Sequence, residues 1–147
     1  MPPIVHEIQI DRPPDEVYAY ATDPTRFHEW QYDVVNVRME GGAPGVGAQF
    51  TTTRRIGPSE RTMTQQITRV DPPRHWAVRG VDGPLRPSAS ITVEPLDDGA
   101  RSKVTFTLDF EGHGVVGRPL VPLVTRMARK GAPLSHRHLK ERLEAGV

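Results

Sequence analysis

Residues 4–30 read IVHEIQIDRPPDEVYAYATDPTRFHEW, and the order of elements within them decides the fold. Ile4, His6, Ile8 and Ile10 alternate with Val5, Glu7 and Gln9, the period of a strand with one buried face, and Asp11-Arg12-Pro13-Pro14 ends it. Pro14 suits the first position of a helix, Asp15 and Glu16 oppose the positive end of its dipole, and Val17, Tyr20 and Ala21 share a face. A helix is therefore predicted over residues 14–22. Asp23-Pro24 repeats the start signal, an N-cap acceptor followed by proline, and predicts a short helix over 24–30 with Phe27 and Trp30 on one side. One strand followed directly by two small helices is an uncommon opening.

From Asp33 to Gly112 the pattern is β throughout, with strands predicted at 33–39, 47–56, 60–71, 75–81, 88–94 and 103–112. The breaks are short: Gly41-Gly42-Ala43-Pro44-Gly45, Gly57-Pro58, Pro72-Pro73, Gly83-Pro84 and Asp97-Asp98-Gly99. Connections of that length join antiparallel neighbours, so a meander is expected. The last strand alternates most cleanly, with Val104, Phe106, Leu108 and Phe110 on one face and Thr105, Thr107 and Asp109 on the other. One apolar and one wet face imply a sheet covered on one side only.

The remainder is helical, with apolar positions at Leu120, Leu123/Val124, Met127, Leu134, Leu139 and Leu143. A continuous helix over 120–144 would run about 37 Å. Gly131 and Pro133 interrupt the pattern, and interior proline costs about 3 kcal/mol, so a bend or break is predicted between Arg129 and Pro133. The reading is an α+β chain, β-αα-β6-α, as a single domain over 1–147. A curved seven-stranded antiparallel sheet wraps a long C-terminal helix and leaves an apolar hollow between them.

Composition excludes several alternatives. The 147 residues include no cysteine, which removes disulfides, thiolate nucleophiles and thiolate metal sites. Apolar runs fall far short of the roughly 20 residues a membrane span needs, and the N-terminus reads as structure instead of a leader. The expectation is a soluble cytoplasmic protein with no integral membrane association, its oligomeric state left open by the sequence. A net charge of +1 gives no reason to expect nucleic acid. Charge is uneven, however: Val116 to Val147 holds seven Lys/Arg against two Glu. That basic helix either has a solvated face or approaches anionic lipid headgroups.

The element order, with Ile8-Gln9-Ile10 leading into Arg12-Pro13-Pro14-Asp15-Glu16-Val17-Tyr18, Thr22-Asp23-Pro24 with Phe27 and Trp30, Gly45-Val46-Gly47, Val70-Asp71-Pro72-Pro73-Arg74 with Trp76, and Asp97-Asp98-Gly99 with Thr105, resembles the START-like superfamily. These are also called SRPBCC or Bet v 1-like helix-grip proteins, and the likeness is greatest to their polyketide cyclase/dehydrase branch. The resemblance spans the whole chain. It implies a cavity between sheet and helix but supplies no universal catalytic residue, since members include cyclases, lipid and hormone binders and quinone-binding chaperones. Three functions stay open: binding of a small hydrophobic, aromatic or lipid-like ligand; cyclisation or dehydration of a poly-carbonyl or aromatic intermediate; and presentation of a lipid or quinone to a partner.

Candidate ligand-contacting residues follow from the strand faces. Phe27 and Trp30 either wall a site or clamp the second small helix to the sheet edge. Trp76 and Val78 share one alternation, as do Phe106, Leu108 and Phe110, and each is core or cavity wall. On the helix the candidates are Leu123 and Met127. Polar residues on apolar faces are more telling: Gln65 lies in register with Met63 and Ile67, and Arg54 with Phe50, Thr52 and Ile56. Arg54 either grips an anionic ligand group or lays its stem on apolar surface with its head in water, and Arg55 points the other way. His75 is a candidate base at a cavity rim. His136 and His138 lie about 200° apart on a helix and cannot chelate one ion; His28-Glu29 lacks the His-Glu-x-x-His spacing, and Glu111 with His113 reads as a solvated pair. No metal and no cofactor are expected. Gly42–Gly47 leads into a strand, so it lacks the helix N-terminus of a phosphate loop.

Overall fold

The alternation of Ile4–Ile10 forms strand β1 in the computed structural model, which describes residues 2–41 and 45–147. Helix α1 (Pro14–Ala21) follows, then a 3-10 helix over Pro24–Glu29, where the Asp23 carboxylate accepts from the Thr25 amide as expected of an N-cap. Six strands come next: β2 (Val34–Met39), β3 (Gln49–Ile56), β4 (Ser59–Asp71), β5 (His75–Gly80), β6 (Leu85–Leu96) and β7 (Arg101–Gly112). The expected break at Gly41–Gly45 falls largely on residues 42–44, outside the described residues.

All pairings are antiparallel and the sheet order is β1-β7-β6-β5-β4-β3-β2. Closing β1 onto β7 puts Ile8 opposite Val104, His6 opposite Phe106 and Ile4 opposite Leu108. Phe106 stands opposite Ile91, which in turn stands opposite Trp76, so one row of large side chains crosses four strands on the concave face. Register shifts at Val34/Asn36 in β2 and Ile67/Arg69 in β4 are bulges, which deepen strand twist and bend.

The last element, α2, runs from Gly114 to Glu144. At 31 residues it is about 46 Å long, and it begins six residues before the apolar periodicity does. Of the bend or break expected between Arg129 and Pro133, the break does not occur: the helix is continuous through Pro133. Gly131 has a different role from the one its type suggested. A Cβ there would fall 2.1 Å from the Tyr32 ring, so this glycine lets the helix approach the chain after the 3-10 helix. At the other end a Cβ on Gly117 would lie 1.9 Å from the Pro84 carbonyl oxygen.

α2 packs on β7, β1 and β6 and is fastened at its C-terminus. Arg12 donates to the carbonyls of Leu143 (2.9 Å) and Glu144 (3.1 Å), and Lys140 to that of Gln9 (2.7 Å). A guanidinium there satisfies open carbonyls and opposes the negative end of the helix dipole. Two apolar clusters result. The larger joins Ile10, Val17, Phe50, Trp76, Val104, Leu139 and Leu143 beneath α1; the smaller joins Met63, Leu85 and Val124 near the helix N-terminus.

The two glycine approaches have different expected outcomes. Gly117→Ala drives a methyl into backbone and is expected to lose about 1–3 kcal/mol. At Gly131→Ala the half-exposed Tyr32 ring can swing aside while alanine adds up to about 1 kcal/mol of helix propensity, so stability is expected to stay within about 1 kcal/mol of the parent. Urea denaturation of both variants checks the ranking.

Candidate functional site

Between the two apolar clusters lies a cavity of about 160 Å³, whose walls take Phe27, Trp30 and Trp76 from the larger cluster and Met63, Val124 and Phe110 from the smaller. Its origin is the helix sequence. The α2 residues that border the space between Met127 and His136 include Ala128, Ala132 and Ser135, with buried Gly131 between them. Side chains this short cannot span the distance to a sheet that bends away from them.

The residues singled out from sequence fall into three groups. Phe27, Trp30, Met63, Gln65, Trp76, Val78, Phe106, Leu108, Phe110 and Met127 all line this cavity. Phe50 does not: it is fully buried against the 3-10 helix and β5, 5.9 Å from Phe27 and 6.4 Å from Trp76 between ring centroids. Alternation assigned Phe50 to the concave face correctly, but it is silent on position along the strand, and that end of the face is filled. Leu123 is the second correction. It is 48% exposed, while its neighbour Val124 is buried and lines the space. One residue is 100° of helix, so choosing between adjacent apolar residues needs the helix phase, which packing sets.

Arg54 borders the mouth in a state neither reading of the sequence anticipated. Its guanidinium donates to Asp33 (2.8 Å) and to the Gln31 side-chain carbonyl (2.6 Å), so the protein itself supplies the anion. Arg55 borders the mouth as well, although its side chain is 67% exposed and pairs with Glu60 at 3.4 Å. His75 lies outside the lining, with Nδ1 3.3 Å from the Thr92 hydroxyl. Glu111 and His113 pair at 3.0 Å at the end of β7, also away from it.

Gln65 is the polar residue of most consequence in the wall. It is 5% exposed, and its Oε1 accepts from Thr52 at 2.9 Å. Among the described residues its amide nitrogen has no acceptor. Thr52 bonds one end of the amide only, so either orientation of the group leaves the other end open. Among the described residues Trp30 Nε1 is likewise buried without a partner, which costs about 1–3 kcal/mol.

Two histidines escaped the sequence reading as site residues. His6 was placed on the inward face of β1 and His136 was weighed only against His138. In the structure both line the cavity, and their Nδ1 atoms lie 2.6 Å apart. His136 is 7% exposed and stacks on Phe106 with ring centroids 3.6 Å apart. Burial, reinforced by any charge on His6, pushes its pKa down from 6.5 to about 3. The available signal was a histidine in an otherwise apolar alternation, Ile4-His6-Ile8-Ile10, which needs a polar partner from elsewhere in the fold.

Among the described residues no group of three His, Asp or Glu gathers as metal ligands, and no helix is long and apolar enough to cross a membrane. On α2, Lys140 and Arg142 are engaged with Glu144 and Glu29, while Arg126, Arg129 and Lys130 are exposed.

A seven-stranded curved sheet gripping a long helix around a cavity defines a helix-grip protein. The chain belongs to the polyketide cyclase / dehydrase and lipid transport family, whose sequence profile matches residues 1–144. Among solved structures it is similar to TTHA0849 from Thermus thermophilus, with 19% identity, a TM-score of 0.80, and 99% of this chain and 100% of that one covered. It is also similar to the Zhui aromatase/cyclase from a Streptomyces species, with 15% identity, a TM-score of 0.81, and coverage of 97% and 93%. One half of the two-domain aromatase/cyclase BexL matches too, with 19% identity and a TM-score of 0.74 over 98% of this chain and 47% of that one. At these identities the likeness is one of fold. No curated protein matches the sequence.

The lowered His136 pKa has a stability consequence with a definite sign. The unfolded imidazole takes a proton near pH 6.5, whereas the folded one stays neutral to about pH 3. The unfolded state therefore binds more protons in that window, and stability falls as pH falls through it. The loss expected between pH 6.5 and 5 is about 1.5 kcal/mol. The Glu29 and Glu144 carboxyls, held low by hydrogen bonds from Arg26 and Lys140, contribute only further into acid. Melting curves across pH 5–6.5 are expected to flatten in His136→Phe.

Proposed function

We propose that this is a cytoplasmic protein that binds a small, largely aromatic molecule in the cavity between sheet and α2, with the open end of the Gln65 amide orienting a carbonyl or hydroxyl on it. The observation that carries this reading is the combination of about 160 Å³ of space, walls rich in aromatic and aliphatic side chains, and one buried amide with an unanswered end. Apolar cavities of comparable size stay dry and accept a benzene-sized guest, and two fused rings are the upper range. Family membership and the likeness to aromatase/cyclases are consistent with an aromatic or polyketide-like guest.

Thermal shift with 2-naphthol and naphthalene tests the proposal. A ligand at 100 times its Kd adds about 2.7 kcal/mol, several degrees in Tm for a domain of this size. 2-Naphthol is expected to bind more tightly than naphthalene by about 3–10-fold, one net hydrogen bond. Gln65→Leu is expected to erase that preference while keeping affinity for the hydrocarbon. Ala132→Phe, which extends a ring from the helix into the space, is expected to abolish both shifts. Binding unaffected by Ala132→Phe would place the guest elsewhere and overturn the reading.

A further inference from the structure

His6 and His136 come from opposite ends of the chain, on β1 and α2, and meet in the cavity wall with Nδ1 atoms 2.6 Å apart. That distance is a hydrogen bond. Two nitrogens on one zinc at 2.0–2.1 Å would stand about 3.3 Å apart in a tetrahedral site, so the pair is not arranged to chelate. The rings lie nearly parallel, 4.8 Å between centroids and 25° between planes, and Phe106 stacks on His136 at 11°. At that separation the two histidine rings meet edge to edge, as the hydrogen bond requires, and His136 cannot turn away without breaking its stack on Phe106.

A bond between two Nδ1 atoms requires that one carry the proton and the other offer its lone pair. With both rings neutral, their tautomers must then be opposite. The donor ring is left with a bare Nε2, and the acceptor ring carries its one N–H proton on Nε2. One outer nitrogen is a base, the other is an acid, and the inner hydrogen bond connects them. Neither Nε2 has a partner among the described residues, and neither is among the sealed, unpaired polar atoms, so both keep open surface. The other titratable or charged groups in the same wall are Tyr32, Asp33, Arg54 and Arg55, of which Asp33 and Arg54 neutralise one another. Burial holds His136 uncharged. The pair is therefore suited to passing a proton through, not to storing one.

We infer that His6 and His136 form a bifunctional acid–base pair that enolises a carbonyl compound held in the cavity; this rests on the cavity taking a guest. The bare Nε2 removes a proton from the carbon next to the carbonyl, and that C–H electron pair becomes the C=C bond. The Nδ1 proton of the same ring moves to the Nδ1 of its partner. The partner's Nε2 proton goes to the carbonyl oxygen, whose π pair becomes the new O–H bond. Ketone becomes enol with no change in charge and no outside reagent. The two rings end with exchanged tautomers, and return of the proton to carbon restores them. Coupling the two transfers avoids both a free enolate and a buried imidazolium, each expensive in an apolar wall.

The test uses 2-tetralone, whose bicyclic frame suits the space and whose C1 hydrogens are acidic. Its binding is followed by thermal shift and its C1 deuterium uptake in D2O by proton NMR. Exchange is expected to exceed that in the same concentration of free imidazole by about 10²-fold or more. His6→Asn and His136→Asn, which retain a polar atom near the Nδ1 position and delete Nε2, are each expected to lose that gain while still binding. The double variant is expected to be no slower than either single one, as for groups acting as a unit. Binding without accelerated exchange overturns the acid–base pair and leaves the ligand-binding reading standing; absence of binding overturns both. Nitrogen-15 imidazole spectra of the unliganded parent protein decide the pair independently of any variant's folding. One ring protonated at Nδ1 and the other at Nε2 supports it, and two rings with the same tautomer refute it.

Discussion

Everything in the site depends on α2 being held at its ends and left short of atoms in its middle. At one end Arg12, in the turn after β1, and Lys140, which reaches the Gln9 carbonyl of β1, bond the helix to the sheet. At the other, Gly117 sits against the Pro84 carbonyl and the His113 amide donates to that same oxygen at 2.8 Å. Fastened this way, the helix cannot sink toward the sheet where Ala128, Ala132 and Ser135 leave room. A void among apolar side chains is normally removed by collapse, because unfilled space forfeits dispersion contacts. Here collapse would break polar contacts at both ends, and the space persists.

The polar groups of the wall divide by whether the protein answers them itself. Arg54, the only wall cation with substantial burial among the described residues, is answered by Asp33 and Gln31 at the mouth. Leaving it bare would cost several kcal/mol, so it acts as a closed structural clasp between β3 and the segment after the 3-10 helix. One end of the Gln65 amide and the outer nitrogens of His6 and His136 are not answered among the described residues. Neutral donors and acceptors of this kind are tolerable in a buried wall where a lone charge is not. A cavity with a neutral interior and a neutralised mouth favours an uncharged, aromatic guest with one or two oxygens over a carboxylate or phosphate.

The fold was legible because its signals are local. The strand followed by two small helices in residues 4–30 and the alternation of Val104–Phe110 each depend on neighbours in sequence. The inward residues of β4, β5 and β7 followed from the same alternation. Phe50 and Leu123 were misplaced for complementary reasons: period two identifies a face but not where along it the core is solid, and an apolar stripe does not fix helix phase to one residue. Gly131 and Pro133 look like a break by propensity, yet the helix continues through them, and Gly131 provides contact with Tyr32. Tertiary packing outweighs an intrinsic preference of about 1 kcal/mol for glycine.

The amino-acid order alone settled the succession of elements, the antiparallel meander and the set of side chains facing inward, because these follow from periods of two and 3.6 residues along one chain. It could not settle which polar groups meet. His6 and His136 lie 130 positions apart, and Arg54 lies 21 from Asp33. The histidine contact exists only once β1 closes onto β7 and α2 is laid across the sheet, and the Arg54 contact only once β2 pairs with β3. The volume of the hollow was equally out of reach, since it is the small difference between the sheet's curvature and the reach of side chains on a helix pinned at both ends.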